Sequence, residues 1–347
     1  MAKLYGFDQI YSRIFRDFKN NRLHYCNLLD GTRGIGKNSF AHKVAGLILG
    51  VKHDGQEASE SAAEEVDGLI KSGGHTDLIM LDVNTIDDGG RESVLKKEEI
   101  GIGQVRRVLE KIKLTQSISK NKVVIVDSID MVTVNGQNAL LKVLEEPPAN
   151  TYFFLICHRQ RKVLSTVLSR CNLINVADLE LDEWKMAFQS ACSANGINCG
   201  DINVEYIYYL SDRSVGLALA MANDEAKNMY KDMVKNIFSG NLVNIQKFAD
   251  SVYGGELLQI FRILIEKFFE DMICRCREKS PIIFEKDNED LWNSMDKNNL
   301  RVILENYEFS REILRNADSY NLYKKHCLTV LMDKLSATMG RVGNSMI

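Results

Sequence analysis

Five short apolar runs recur in the first half of the chain: Leu28-Leu29, Leu78 to Leu81, Val123 to Val126, Tyr152 to Ile156 and Leu173 to Val176. Helical stripes lie between them. Phe40, Val44, Leu47 and Ile48 stand at i, i+4, i+7 and i+8, and Ile102, Val105, Leu109 and Ile112 repeat the pattern. Ala139, Leu140, Val143 and Leu144 form a third stripe, ended by Glu145-Glu146-Pro147-Pro148, because proline denies αR geometry to the residue before it. Strands apolar on both faces and joined by helices have one economical packing, a parallel, doubly wound sheet. Two polar stretches interrupt the alternation and read as surface insertions: Gly50 to Gly74, and Asn84 to Lys97 with its turn-forming Asp87-Asp88-Gly89-Gly90.

After Asp178 no further strand pattern appears. A short helical region runs from Leu181 to Asn223, broken at Gly196 and Gly200, and from Tyr230 onward the pattern is long helices. Their stripes are Leu257, Ile260, Phe261, Leu264, Phe268 and Met272; then Leu300, Ile303, Leu304 and Tyr307; then Leu328, Leu331 and Leu335. Proline usage agrees: three in 347 residues, where ordinary usage gives about 17. A chain so poor in helix breakers is mostly helix over its second half.

With 45% apolar and 26% charged residues the chain is an ordinary globular mixture, which excludes a largely disordered chain. A net charge of −3 argues against coating nucleic acid by charge alone. The N-terminal residues lack the apolar core of a secretory signal, and no run of about 18 apolar residues is present, so a cytoplasmic protein is expected. The eight cysteines are scattered without a C-x-x-C pair. They read as reduced structural thiols, with no zinc site. Cys274 and Cys276 form a C-x-C within a helical stretch, where they face different sides.

One segment carries phosphate chemistry. Gly31-Thr32-Arg33-Gly34-Ile35-Gly36-Lys37-Asn38 fits G-x-x-x-x-G-K between an apolar strand and a helix. Gly31, Gly34 and Gly36 let backbone N–H groups curl around phosphate oxygens, and Lys37 reaches toward the outer phosphates. The next position is normally Ser or Thr, whose hydroxyl ligates Mg²⁺; here it is Asn38, and Ser39 lies about 100° further round the helix. The run Val123 to Val126 ends in Asp127, placed to hold such a metal. Hydrolysis also needs a carboxylate to orient water, and the residue after Asp127 is Ser128, with Asp130 two places beyond. The pattern describes a nucleotide site able to bind and poorly equipped to hydrolyse.

The stretch Val123 to Pro148, with NALLKVLEEPP from Asn138 to Pro148, then Tyr152 to Ile156 and Ser169-Arg170-Cys171, resembles the AAA+ subunits of bacterial DNA polymerase III clamp loaders. Within that family the chain is most similar to the delta-prime branch. The resemblance is close to about Val176 and rests on layout beyond it. It implies a fold of α/β plus all-α type: an AAA+ P-loop core with a parallel sheet over residues 1–177, a helical lid over 178–228 and a helical collar over 229–347. It also implies partners: gamma/tau and delta subunits in a hetero-pentamer, and, through that complex, the sliding clamp and primed DNA.

Delta-prime members resemble a stator, part of a DNA-directed DNA polymerase holoenzyme without catalysis of their own. Their SRC arginine projects into a neighbour's nucleotide site. By resemblance Arg170 is that residue, an arginine finger in trans. Three departures from the ATPase members agree: Ser128 follows the Walker B Asp127, Cys157 stands at the sensor-1 position, and Gly216 replaces the sensor-2 arginine in Arg213-Ser214-Val215-Gly216. ATP or ADP with Mg²⁺ is then expected to bind weakly or not at all. Positions of the family's zinc module fall on Lys52, Ser61, Glu64 and Asp67, so no zinc is expected. Arg106, Arg107, Lys111 and Lys113 are candidate DNA contacts, although helical spacing spreads them around an axis. The alternatives are a hydrolysing gamma/tau-like subunit, in which Asn38 and Asp130 do unusual duty, and a P-loop kinase of small molecules.

Overall fold

The computed structural model describes residues 4–50, 66–70, 72–85, 99–114, 118–199, 204–222, 224–253, 255–277, 300–319 and 322–339. Backbone contacts divide the chain within one helix into two units, Met1–Ser190 and Ala191–Ile347.

The first unit holds β1 (Cys26–Asp30), β2 (Leu78–Asp82), β3 (Lys122–Asp127), β4 (Thr151–Cys157) and β5 (Asn172–Asn175). The first four cover their apolar runs; β5 covers Leu173 to Asn175 of the fifth and stops before Val176. They form a single parallel sheet in the order β2-β3-β4-β1-β5. Helices α1 (Asp8–Lys19), α2 (Lys37–Leu49), α3 (Ile102–Lys113), α4 (Val134–Glu145) and α5 (Ser165–Leu168) connect them. Much of the stretch Gly50 to Gly74, and most of Asn84 to Lys97, lies outside the described residues.

Alternation along the strands sorts the core into two layers. Val124 and Val126 of β3, with Phe153 and Leu155 of β4, meet Val105, Val108 and Ile112 of α3 and Leu140 and Leu144 of α4. Their neighbours Val123, Ile125, Phe154 and Ile156 meet Phe40, Val44 and Ile48 of α2 on the opposite face. Covering both faces is what selects apolar residues at consecutive positions.

Polar residues tie the ends of these elements. Asn121 donates its side-chain amide to the Ile48 carbonyl at 3.0 Å, and the Ser119 hydroxyl donates to the Leu49 carbonyl at 2.6 Å, closing the C-terminus of α2. Buried Asp77 accepts the backbone N–H groups of Ile118 and Ser119, each at 2.8 Å. Gln137, buried on α4, donates to the Val132 and Lys162 carbonyls and accepts from Leu164 N–H, which fastens α4 to the loop entering α5.

Helix α6 (Leu181–Asn195) crosses the boundary between the units and ends at Gly196, whose positive φ of 68° terminates it. The second unit contains α7 (Val204–Leu210), α8 (Val215–Met221), α9 (Asp224–Ser239), α10 (Leu242–Val252), α11 (Gly255–Cys276), α12 (Leu300–Ser319) and α13 (Lys324–Met339), with no strand among the described residues. Helix α13 packs on α9, α10 and α12, and α11 packs on α9 and α12.

The stripes of α11 and α13 are buried as the spacing predicts at Ile260, Phe261, Leu264, Phe268 and Met272 and at Leu328, Leu331 and Leu335, while Leu257 is half-buried and Leu258 beside it takes the inward place. On α12 the buried face is different. Leu304 is exposed, and the inward positions are Ile303, Asn306, Ser310, Leu314 and Ala317. Two polar residues occupy that face because each has a partner: Asn306 donates to the Val302 carbonyl and accepts from Thr338 of α13 at 3.1 Å, while Ser310 donates to the Tyr307 carbonyl. No described helix is long and apolar enough to cross a membrane.

Phe154 is fully buried in the layer beneath α2. Replacing it by alanine is expected to cost about 3–5 kcal/mol, seen as a lower denaturant midpoint with an unchanged slope.

Candidate functional site

All strands run the same way, so the two ends of the sheet differ. At the C-terminal end, the register pairs Asp30 with Cys157 and Asp127 with Ile156. This brings the phosphate-loop segment, the end of β3 and the residue after β4 into one row. At the N-terminal end, Asn27 pairs with Asn172, so Arg170, two residues upstream of Asn172, belongs to the opposite edge.

The loop after β1 has the backbone expected of a phosphate cradle. Gly34 has φ 81° and Gly36 φ 99°, both left-handed, and Gly36 caps α2 from outside. A Cβ on Gly31 would lie 2.5 Å from the Val176 carbonyl oxygen, so only glycine lets the loop pass the chain leaving β5. Lys37 is buried and turned back on its own loop, donating from Nζ to the Gly31 and Thr32 carbonyls at 2.6 Å each. Burial lowers its pKa to about 8.

Asn38 donates its side-chain amide to the Asp127 carboxylate. Burial raises the pKa of Asp127, partly countered by that hydrogen bond. His158, directly after β4, sets Nε2 3.9 Å from Asp127 Oδ1. Burial, with the Lys37 charge adding to it, lowers the imidazole to a pKa of about 4, so at neutral pH this is a neutral contact and not an ion pair. Its Nδ1 is buried without a hydrogen-bond partner. Asp130 is spent on backbone, accepting the His158 N–H at 3.0 Å. The Ser128 hydroxyl is buried with no partner. Cys157 is fully buried, and its thiol is pushed up to about 12 by burial and by a hydrogen bond with Asp30.

The sequence points to Lys37, Asn38 and Asp127, and the fold brings all three together. It does not point to His158, whose place beside Asp127 follows from the β3–β4 register. A polar residue immediately after an apolar strand was the available signal.

At the other edge, Arg170 sits in the turn between α5 and β5. It donates to the Thr166 carbonyl at 2.8 Å and the Ser169 hydroxyl at 3.3 Å, and forms an ion pair of 3.0 Å with Glu145 at the end of α4. His24, Tyr25, Glu145, Ser169, Arg170, Cys171 and Asn172 line a groove of about 580 Å³ there. His24 and Tyr25 stack, with ring centroids 4.5 Å apart. The strand rise of about 3.3 Å per residue puts some 13 Å of β1 between this edge and the phosphate loop. Arg170 is therefore remote from the cradle of its own chain.

Gly216 lies in the first turn of α8, after Arg213 at φ 63° and after Ser214, whose hydroxyl accepts the Leu217 N–H. Lys52, Ser61 and Glu64 fall outside the described residues. Among the described residues no cluster of three or more metal-binding side chains occurs. Arg106, Arg107, Lys111 and Lys113 are spread around α3, with Arg106 and Lys111 exposed and Arg107 half-buried.

Residues 7–180, half of the chain, match the family model described as "DNA polymerase III, delta subunit". The chain belongs to that family. Its members are clamp-loader AAA+ subunits, and this delta-family chain is delta-prime-like. It is 29% identical over 193 residues to the DNA polymerase III subunit delta' of Haemophilus influenzae, covering 56% of this chain and 54% of that one. It is 27% identical to subunit gamma of Buchnera aphidicola, covering 82% and 73%. The tau/gamma subunit of Haemophilus influenzae is 33% identical over 49% of this chain, a stretch amounting to 22% of that longer protein.

The cradle of this delta-family chain suits a phosphate group: glycines of the right hand, a helix N-terminus and a lysine behind them. The pair that would ligate Mg²⁺ suits it poorly, because Asn38 offers its amide N–H₂ to Asp127 and no hydroxyl stands at position 38.

Lys37 yields a pH prediction. Its pKa is lowered from 10.5 to about 8 in the fold. The charged form is therefore penalised at neutral pH, and the penalty fades as pH rises from 8 toward 10.5. Lys37→Met is expected to be more stable than the parent by roughly 1–3 kcal/mol at pH 7, less whatever the two hydrogen bonds contribute. The gap should narrow by pH 10 in paired denaturation curves.

Proposed function

We propose that the chain is the non-hydrolysing, stator-type subunit of a DNA polymerase III clamp loader. In this reading it sits beside gamma/tau and delta subunits in a hetero-pentamer that opens the sliding clamp and sets it on primed DNA. Arg170 supplies its guanidinium to the nucleotide of a neighbouring gamma/tau subunit. The supporting observation is the position of Arg170 at the strand N-termini, in an open groove, across the sheet from the cradle of its own chain. An arginine so placed is accessible to a neighbour and not to its own loop.

Chemically, a guanidinium beside a γ-phosphate stabilises charge spreading over the transferring phosphoryl group. In this chain Glu145 holds that guanidinium at 3.0 Å through Nη2, and Ser169 and the Thr166 carbonyl take Nη1. A γ-phosphate carries more charge than one carboxylate, so it competes with Glu145 for the same donor.

The chain's own site lacks what hydrolysis requires. Ser128 offers no carboxylate after Asp127, Asp130 is held by the His158 backbone, and Asn38 is bonded to Asp127. Any nucleotide held there is gripped by the loop backbone and Lys37, weakly and without help from a metal.

Arg170→Ala, assembled with the other subunits, is expected to lower the clamp- and DNA-stimulated ATPase. Loss of such a group costs about 10³–10⁵ at one site, and the intact sites of the complex dilute this to a partial fall in total turnover. Arg170→Lys is expected to recover little, since a point charge does not reproduce the planar fork. Turnover unchanged in the fully assembled complex would overturn the finger role. The isolated chain is expected to show no ATP hydrolysis, and calorimetric titration with ATP should give the same weak binding, or none, with and without Mg²⁺.

A further inference from the structure

Cys26 opens β1 and Cys171 stands immediately before β5. The register that pairs Asn27 with Asn172 makes them neighbours one step earlier. Adjacent strands lie about 4.8 Å apart, inside the 4.4–6.8 Å span that a disulfide needs between Cα atoms. Their side chains point to the same place, with the two sulfurs 3.0 Å apart. The pair joins positions 145 residues apart in sequence.

The environments of the two thiols differ. Cys26 is fully buried, whereas Cys171 is half-buried and lines the groove beside Arg170. Cys171 donates to the Val167 carbonyl at 3.2 Å, and in the hydrogen bond between the two sulfurs either thiol can be the donor. That hydrogen bond, together with burial, pushes the Cys26 thiol far above the ordinary range. Cys26 is thus inert alone, and Cys171 is the sulfur that a solvent-borne reagent meets.

We propose that Cys26 and Cys171 are a reversible dithiol that closes to a disulfide when the chain meets a peroxide, pinning the Arg170 turn to the sheet. Cys171 gives its proton to solvent and its sulfur attacks one peroxide oxygen. The O–O bond breaks, water departs after protonation, and a sulfenic acid remains on Cys171. The Cys26 sulfur then attacks the Cys171 sulfur. The S–OH bond breaks, the Cys26 proton leaves with the hydroxide as a second water, and the S–S bond forms. The two thiols have together lost two electrons to the peroxide. A dithiol reductant reverses the change. In a reducing compartment the pair rests open. This inference stands whether or not Arg170 serves a neighbour.

The test uses the full chain, purified reduced, freed of reductant and exposed to hydrogen peroxide. Remaining thiols are then blocked in denaturant and the peptides mapped by mass. The expected product is a cross-linked peptide pair containing Cys26 and Cys171, cleaved by dithiothreitol. Cys192 and Cys199 are also hydrogen-bonded to each other, so the peptide identity decides, not the thiol count. Because the link closes a long loop in the unfolded chain, the oxidised protein should also melt at a higher temperature. Cys26→Ala should lose both the cross-link and the melting shift. If that variant fails to fold by circular dichroism, Cys171→Ser serves instead. Cys26 recovered with its blocking group while Cys171 carries only sulfinic acid would overturn the proposal. So would a cross-link of either residue to another cysteine.

Discussion

Strand direction is the constraint on which the rest of the first unit depends. Five strands running one way give a sheet with two chemically different ends. Every strand delivers its C-terminus to one edge, where loops enter helices and where helix N-termini gather positive potential. Every strand begins at the other edge, where helices have ended and the chain turns back. The phosphate loop, Asp127 and His158 are products of the first edge; Glu145, Arg170, Cys171 and the start of β1 are products of the second. An antiparallel sheet would interleave the two sets.

Holding strands in this arrangement requires apolar cover on both faces and polar closure at the seams. The two layers supply the first, with consecutive residues of β3 and β4 assigned alternately to them. The seams are closed by side chains whose reach spans elements. Asn121 and Ser119 bind the last carbonyls of α2, and Lys122 donates from its buried Nζ to the Ile112 and Leu114 carbonyls at the end of α3. Burial lowers the pKa of Lys122, yet the carbonyls at a helix C-terminus favour a cation there. Three residues just before and at the start of β3 therefore close two helices. The same logic operates in the second unit, where a hydrogen bond between Thr338 and Asn306 joins α13 to α12.

How much of this the sequence carried depended on range. The strands were legible within a residue or two because burial on both faces leaves a run that turn residues bound: Val123 to Val126 became Lys122–Asp127, and Leu173 to Val176 became Asn172–Asn175. The stripes of α11 and α13 were legible because the 3.6-residue period survives without knowledge of the partner helix. The stripe of α12 was misread at Leu304, since the face that turns inward carries Asn306 and Ser310, whose partners could not be seen in a single helix. The lysine and acid of the candidate site were legible as types. What Asn38 bonds to, why His158 faces Asp127, and which carboxylate holds Arg170 all depend on strand register. So does the meeting of Cys26 and Cys171, whose scattered spacing gave no hint of a pair.

The electrostatics of the C-terminal edge bear on the proposed non-hydrolysing role. Burial acts on each of three ionisable residues around the cradle, and each moves toward its neutral form: Lys37 down, Asp127 up, His158 down. In a site built around a metal–triphosphate, a lysine and an aspartate face multivalent charges that keep them ionised, and the empty site bears the cost of holding those charges near one another. Here the residues satisfy one another instead. Lys37 binds its loop carbonyls, Asn38 binds Asp127, and Asp130 binds backbone. These contacts close the site internally, although the buried Lys37 charge still carries a cost; in the proposed reading its conformation does not follow a nucleotide cycle. In the proposed reading, a subunit whose own site does not cycle keeps its opposite edge fixed. A fixed face is what an arginine requires if it is to meet the phosphate of a neighbour whose own site does cycle.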